Sequence, residues 1–431
     1  MPERKEDEFA FIKEKIKDKP LNKRRLLKFA VIMVPFAVAF GLIACFVMTL
    51  VQPHMQNLLY PKKESAVMIP RDELETETEK LEEETEKEAE KETETAAPVY
   101  NITEKQELEV TDYQQLQNKI YAIGQEANRS IVTVTGLKSG TDWLYASYES
   151  TAEASGIIIA NNGQDLLILT EKKIIADAQD IHVTFVDGAL AKASMRQYDG
   201  NTGIAVLSVA LSELSDSTLA AVKTAVLGNS YLVKAGNVVL AIGSPLGTNF
   251  SIIAGDVTAT TNSISTLDAT YHVFNTDIVG NSSGSGVLIN LNGEVVGFIM
   301  QSFGRDESQN TLTAVSVSEL KGVIERISNN QQIPYLGATL NTVTQEMEEA
   351  FDLPKGVYVK SVEMDSPAMS AGLQSGDIIV AMQGTEITEV SDYTEKLMSL
   401  MPGDSINITI KRQGTDGYTR ITCTAIAGVL E

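Results

Sequence analysis

The sequence predicts a mostly β protein, a sandwich or barrel, that lies outside a membrane and is held by an N-terminal transmembrane helix. Short β-branched runs bounded by Gly, Asn and Asp recur from Ser130 onward, and many short strands at this spacing are typical of sandwiches and barrels rather than βαβ folds. Phe29 to Val51 runs 23 residues without a charge, which is long enough to cross a bilayer. A second unit of strands and helices occupies the last 100 residues or so.

The strands of the first unit are predicted from short apolar runs, at 130–134, 156–159, 166–170, 181–185, 204–207, 238–242 and 295–299. A helical pattern over 317–327 closes this unit, and the polar run 329–332 indicates a hinge. The second unit combines strands and helices, predicted at 357–361, 378–382 and 406–410 for the strands and around 367–372 and 393–401 for the helices.

The charges around the apolar segment predict its orientation. Four cations between Lys23 and Lys28 precede it, and the next cation after it is Lys62. The positive-inside rule then places residues 1–28 in the cytoplasm, residues 29–51 in the membrane and the remainder outside. A cleaved signal peptide is the alternative, but its apolar core would be shorter and would end in small residues. The sequence therefore favours a single-pass cell-membrane anchor.

The strong acidity of the chain is concentrated in one segment. The net charge of the 431 residues is −23, and 72–94 alone contains 13 acidic residues and three lysines. Residues 52–112 show no apolar periodicity, so we expect an acidic, flexible, self-repelling linker. A chain of this charge without a basic stripe is a poor candidate for nucleic-acid binding.

Cysteines and histidines are too few for a metal cluster. Cys45 lies in the apolar segment and Cys423 in a predicted strand near the end, so no intrachain disulfide is expected. With two cysteines and three histidines in the chain, we predict no metal site and no cofactor.

Long ordered motifs identify a family resemblance. They include Gly236-Asn-Val-Val-Leu-Ala-Ile-Gly-Ser-Pro-Leu-Gly247, Leu288-Ile-Asn-Leu-Asn-Gly-Glu-Val-Val-Gly297 and Asp365-Ser-Pro-Ala-Met-Ser-Ala-Gly-Leu-Gln-Ser-Gly-Asp377. Together they resemble the HtrA family of serine proteases. The resemblance implies a trypsin-like double β-barrel over 113–330, a PDZ domain over 333–431, and assembly into homotrimers.

The resemblance also indicates a defective catalytic triad. The family's histidine follows a Thr-x-x step, where this chain has Lys173, and its aspartate precedes Leu-Ala-Val-Leu, where this chain has Gly203 before Ile204. Asp199 lies four residues upstream and is not a simple substitute. Because such proteases need a hydroxyl, a base and a carboxylate that orients the base, the chain is predicted to be inactive.

The nucleophile segment is ambiguous. The family has Gly-Asn-Ser-Gly-Gly-Pro-Leu, and this chain has Gly280-Asn-Ser-Ser-Gly-Ser-Gly-Val-Leu288. Ser283 is the preferred candidate because it keeps a Ser-Gly step, and Ser285 is the alternative. A tight turn without any catalytic role would show the same composition.

None of the three histidines is a convincing base. His54 lies at the membrane edge, His182 within a predicted strand and His272 just before one. A desolvated lysine can activate a serine, so a Ser283–Lys173 pair is the alternative mechanism.

The PDZ resemblance places a carboxylate-binding loop at Tyr335, Leu336, Gly337 and Ala338. Such loops hold a peptide's terminal carboxylate with backbone N–H groups while the peptide adds a strand to the sheet. Gly337 would allow the close approach, and Leu336 and Ala338 would line an apolar pocket. The alternative is a PDZ domain that only packs against the barrel.

These observations favour a membrane-tethered pseudoprotease that binds peptide C-termini or unfolded segments in envelope protein quality control. A working serine endopeptidase that uses Ser283 and Lys173 is the second hypothesis. A purely structural envelope protein is the third.

Overall fold

The computed structural model describes residues 64–72, 109–141, 147–304 and 310–430, with Val31, Met33, Ala39 and Phe40. The described residues from Glu64 onward form one compact unit. Its helices are α1 (Val110–Ala127), α2 (Lys172–Ile175), α3 (Asp216–Ala221), α4 (Val317–Ser328), α5 (Gln345–Phe351), α6 (Pro367–Ser370) and α7 (Val390–Met398). The strands before α4 are β1 (Ile131–Thr141), β2 (Ser147–Asn161), β3 (Asp165–Glu171), β4 (Asp180–Thr184), β5 (Leu190–Tyr198), β6 (Ile204–Ala210), β7 (Val238–Ser244), β8 (Ser251–Thr266), β9 (Ala269–Val279), β10 (Ser285–Ile289), β11 (Val295–Met300) and β12 (Thr311–Ser316). The strands after α4 are β13 (Pro334–Tyr335), β14 (Ala338–Thr342), β15 (Val357–Val362), β16 (Ile378–Met382), β17 (Thr385–Glu386), β18 (Ser405–Gly414), β19 (Gly417–Ile426) and β20 (Gly428–Val429).

The first twelve strands form two closed barrels. Their orders are β1-β2-β3-β6-β5-β4 and β10-β11-β12-β9-β8-β7. Strand β3 shows how the sequence specifies this arrangement. Leu166 and Ile168 pack inside the first barrel, whereas Leu167 and Leu169 join a core shared with the second barrel. Because successive side chains point to opposite faces of a strand, burial on both faces explains the unbroken apolar run of β3. The two closed barrels confirm the predicted double barrel.

Two glycines bring the barrels close together at one point. Gly243 and Gly286 pair across β7 and β10. A Cβ on Gly243 would lie 2.8 Å from the Gly286 Cα and 2.8 Å from Ser155 Oγ of the first barrel. Both glycines also have positive φ, at 113° and 128°, which other residues rarely adopt. The close approach lets Ser155 reach the second barrel.

The second unit is a small sheet covered by helix α7. Its strand order is β14-β15-β16-β18-β19, with β17 beside β16, and β13 pairs separately with β20. Tyr393 and Leu397 of α7 are buried against Leu340 and Val359 of the sheet. Helix α7 begins three residues before the predicted 393–401 pattern, because Glu389 and Asp392 form a capping box that satisfies free N–H groups of the first turn.

The segment that precedes the barrels shows local order where the sequence predicts a flexible linker. Val67 exchanges two 2.8 Å hydrogen bonds with the Asn329 side chain, and Ser65 N donates to Asn162 O. We call residues 64–72 the strap. Helix α1 also begins at Val110, inside the predicted linker. The sequence pattern could not indicate this order, because the contacts join residues about 260 positions apart. The rest of the predicted linker lies outside the described residues.

The predicted transmembrane segment, 29–51, lies outside the described residues except for four single positions. Among the residues that are described, no helix combines the length and apolarity needed to cross a membrane.

Candidate functional site

Lys173, which the resemblance assigns to the position of the family's histidine, pairs with an acid on the preceding strand. Glu171 ends β3 and Lys173 lies in the short helix α2 that follows. The Lys173 ammonium is 2.6 Å from Glu171 Oε2. Glu171 is 3% exposed, and its Oε1 has no hydrogen-bond partner among the described residues. Burial raises the pKa of Glu171, while the hydrogen bond from Lys173 opposes that rise.

The turn at Gly203, which the resemblance assigns to the position of the family's aspartate, has a left-handed backbone. Gly203 has φ +74°, and no atom lies within 4 Å of the place where its Cβ would be. An aspartate there would adopt a left-handed conformation at a cost of about 1 kcal/mol. The side chain that organises the turn is Asp199, which is 1% exposed. It accepts hydrogen bonds from Asn201 N, Thr202 N and Thr202 Oγ1 at 3.2, 3.0 and 2.6 Å. Asp199 therefore serves as a turn-forming residue.

The candidate nucleophile, Ser283, lies in an exposed turn. Its hydroxyl donates to Asn281 Oδ1 at 3.0 Å, and its N–H donates to the same oxygen at 3.1 Å. An amide oxygen can accept this hydrogen bond but is not a base at neutral pH. Lys173 has Glu171 as its partner. Ser283 and Lys173 thus have separate partners, and their catalytic assignment stays a prediction.

Ser285, the alternative nucleophile, belongs to a buried polar network between the barrels. Its Oγ accepts a 3.0 Å hydrogen bond from Ser155 N. Ser155 Oγ donates to Asn249 Oδ1 at 2.6 Å, and Asn249 Nδ2 donates to Thr133 Oγ1 at 2.5 Å. Sequence reasoning missed Ser155 and Asn249, because their polar contacts are defined only by the approach at the barrel interface.

The two described histidines have partners other than Ser283 and Ser285. His182 lies in β4, between Thr135 of β1 and Lys192 of β5. His272 lies in β9 and pairs through Nδ1 with Glu319, which raises its pKa. His54 lies outside the described residues.

The raised pKa of Glu171 predicts that the folding stability depends on pH. Its folded-state pKa is raised, so folding favours the protonated acid, and stability falls as pH rises from its ordinary value through the raised one. Lys173→Met removes the compensating ammonium, so we expect a loss of about 1–3 kcal/mol at pH 7 and almost none at about pH 4, where the acid is neutral. Urea titrations at the two pH values measure this difference.

Lys192→Met is the matched control. Lys192 pairs with the half-exposed Asp180 at 2.6 Å, and exposed pairs contribute little. An equal loss at both pH values in Lys173→Met would show that packing, not charge, explains the effect.

Three of the four residues predicted to bind a peptide carboxylate surround a carboxylate of the chain itself. The N–H groups of Leu336, Gly337 and Ala338 donate to the side chain of Asp268 at 2.7, 2.6 and 3.1 Å. Tyr393 Oη donates to the same group at 2.7 Å. Tyr335 precedes the loop in β13. No local signal in the sequence marks Asp268, which lies between β8 and β9.

The role of the loop side chains in lining a peptide pocket stays a prediction. Leu336 and Ala338 are fully buried. Gly337 has φ +89°, and a Cβ there would lie 2.5 Å from the Ser366 Cβ. The loop therefore requires glycine at this position. Burial raises the pKa of Asp268, opposed by the hydrogen bonds from the loop and Tyr393.

Comparisons with known proteins agree with the two units. Residues 154–298 match the trypsin-like peptidase domain, and residues 334–422 match the PDZ domain. A probable periplasmic serine endoprotease DegP-like from Pseudomonas fulva (strain 12-X) is 34% identical over 274 residues, which cover 62% of this chain and 54% of the relative. The serine protease Do-like HtrA of Bacillus subtilis (strain 168) is 28% identical over 331 residues, with 70% and 72% covered. The chain spans little more than half the length of the first two relatives.

Solved structures show the same fold. The HtrA-type protease AlgW with decapeptide superimposes with a TM-score of 0.53 at 23% identity, and covers 72% of this chain and 98% of that one. The same protease with tripeptide gives a TM-score of 0.52 at 24% identity, with 72% and 97% covered.

Proposed function

From its place among the HtrA-like proteins, with a trypsin-like peptidase domain followed by a PDZ domain, we propose that this chain is a pseudoprotease that captures peptide C-termini or unfolded segments. It works outside the cell membrane in envelope protein quality control. The observation that carries the proposal is the loop at 336–338, where three N–H groups converge on a carboxylate.

The partners of Ser283 and Lys173 support the inactive half of the proposal. The Ser283 hydroxyl has an amide oxygen as its partner, and the Lys173 ammonium forms an ion pair with Glu171. Loss of the base and its orienting acid removes most of the rate of a serine protease and leaves what binding and the oxyanion site provide.

The place of action is part of the same proposal. The DegP-like relatives are described as periplasmic, and residues 29–51 would anchor this chain with its folded part outside. The linker would let the barrels and the PDZ domain reach substrates near the membrane, alone or as a homotrimer.

Casein cleavage by the full chain tests the inactivity. We expect no turnover of unfolded casein above the blank for the wild type, Ser283→Ala or Lys173→Ala, while an active HtrA-type protease cleaves it under the same conditions. The Ser283–Lys173 mechanism would be established instead if the wild type turned casein over and both variants did not.

A further inference from the structure

The hairpin between β8 and β9 reaches from the second barrel into the PDZ domain. Asp268, at its tip, has φ +60° and is 5% exposed. Besides its four side-chain hydrogen bonds, its N–H donates to Ala338 O at 2.7 Å, and its carbonyl accepts from Thr394 Oγ1 at 2.9 Å. The tip thus contacts both the carboxylate loop and helix α7.

The hairpin reproduces both features of a bound peptide. A peptide in such a groove places its terminal carboxylate on backbone N–H groups and pairs its backbone with the neighbouring strand. Asp268 supplies the carboxylate, and Leu267 forms an antiparallel bridge with Thr339 of β14. The three loop N–H groups, which are the donors that a peptide C-terminus would use, already have an acceptor.

The other side of the hairpin tip is held by the first barrel. Asn201 Nδ2 donates to Leu267 O at 2.5 Å, and Leu267 N donates to Asn201 Oδ1 at 3.3 Å. Asn201 belongs to the turn that Asp199 organises, two residues before Gly203. The same hairpin therefore contacts this turn of the first barrel and the loop at 336–338 of the PDZ domain.

We infer that Asp268 is an internal ligand of the PDZ domain, so that a peptide C-terminus binds only after the β8–β9 hairpin has left the carboxylate loop. This inference rests on the proposed peptide capture and adds its regulation. In the resting chain the loop is closed, and peptide binding and hairpin docking exclude each other because the Asp268 carboxylate occupies the loop N–H groups that a peptide carboxylate would use.

Peptide affinity measures the competition between Asp268 and a peptide C-terminus for the carboxylate loop. The full chain is purified in detergent, and fluorescence anisotropy is recorded with labelled decapeptides whose last three residues are randomised, each with a free or an amidated C-terminus. We expect Asp268→Ala to bind free-carboxylate peptides at least about 10-fold more tightly than the wild type. This gain corresponds to a wild type in which fewer than about one molecule in ten has the hairpin undocked, because the apparent affinity falls with the fraction of molecules that can bind. Tyr393→Phe, which keeps the ring and removes one donor to Asp268, should give a smaller gain.

The control is Asp256→Ala, an exposed acid on β8 of the same hairpin, which should bind as the wild type does. Equal affinity of the wild type and Asp268→Ala for free carboxylates would overturn the inference and leave peptide capture intact. An equal gain for amidated peptides would also overturn it, because the variant would then expose apolar surface and not a carboxylate site.

Hydrogen exchange without peptide separates the two proposals. The amides of Leu336, Gly337 and Ala338 should exchange at least about 10-fold faster in Asp268→Ala than in the wild type or Asp256→Ala, because opening then breaks no bond to a carboxylate. Unchanged exchange would refute the internal ligand whatever the peptides do. Faster exchange with no peptide binding in any variant would refute peptide capture and leave the internal ligand standing.

Discussion

Replacing Asp72 by alanine is expected to lower the free energy of unfolding by about 3–5 kcal/mol, the range for breaking a buried ion pair on one side. Lys321 of α4 is 3% exposed, and both oxygens of Asp72 lie 2.7 Å from its ammonium. Ser318 Oγ also donates to Asp72. Without Asp72 the buried Lys321 side chain loses its ion-pair partner. Urea denaturation of the full chain followed by circular dichroism measures the loss.

Two further variants show whether the buried charge is the cause. Arg71→Ala changes the neighbouring residue of the strap, whose half-exposed guanidinium is 3.5 Å from Glu325, and should cost about 0–1 kcal/mol. Asp72→Leu combined with Lys321→Met removes both charges and should restore most of the stability. A double variant as unstable as Asp72→Ala would contradict the charge explanation and indicate that the strap stabilises the barrel through packing.

The acidic strap residue also shows what the sequence could not predict. Asp72 begins a run of charges that reads as solvated linker, and only its contact with a lysine about 250 positions away makes it structural. The strands and helix α4 were predictable, because apolar runs record burial locally. The PDZ loop was predictable from its motif.

The catalytic positions rest on the resemblance alone. The resemblance predicts which residue types are replaced, at Lys173 and Gly203, and this assignment stays a prediction. The pairing of Lys173 with Glu171 and the left-handed backbone of Gly203 depend on local geometry. The sequence did not indicate Asp268 for the same reason as Asp72. Its role depends on contacts with residues distant in sequence, in the PDZ loop and helix α7.

Replacing Arg326 by alanine is expected to loosen the PDZ domain and to cost about 3 kcal/mol, since partly buried carbonyls lose a charged donor. Arg326 lies in α4 and is 8% exposed. Its guanidinium donates to Met398 O at 3.1 and 2.7 Å, to Gln332 O at 2.9 Å and to Leu400 O. The Met398 and Leu400 carbonyls lie at the C-terminus of α7, where a cation is favourable. Urea denaturation measures the cost, and proteolysis at 329–332 measures the loosening.

Matched variants distinguish the shape of the guanidinium from its charge. Arg326→Lys keeps the charge but cannot direct several planar donors at once, so we expect it to recover only part of the loss, while Arg420→Ala on exposed β19 should behave as the wild type. Because Asp268 contacts α7 through Thr394, loosening at Arg326 should also weaken docking of the hairpin. Peptide affinity should then rise in Arg326→Ala, by less than in Asp268→Ala. An affinity that stays at the wild-type value, with the stability loss intact, would mean that Arg326 holds the helix in place without influencing the groove.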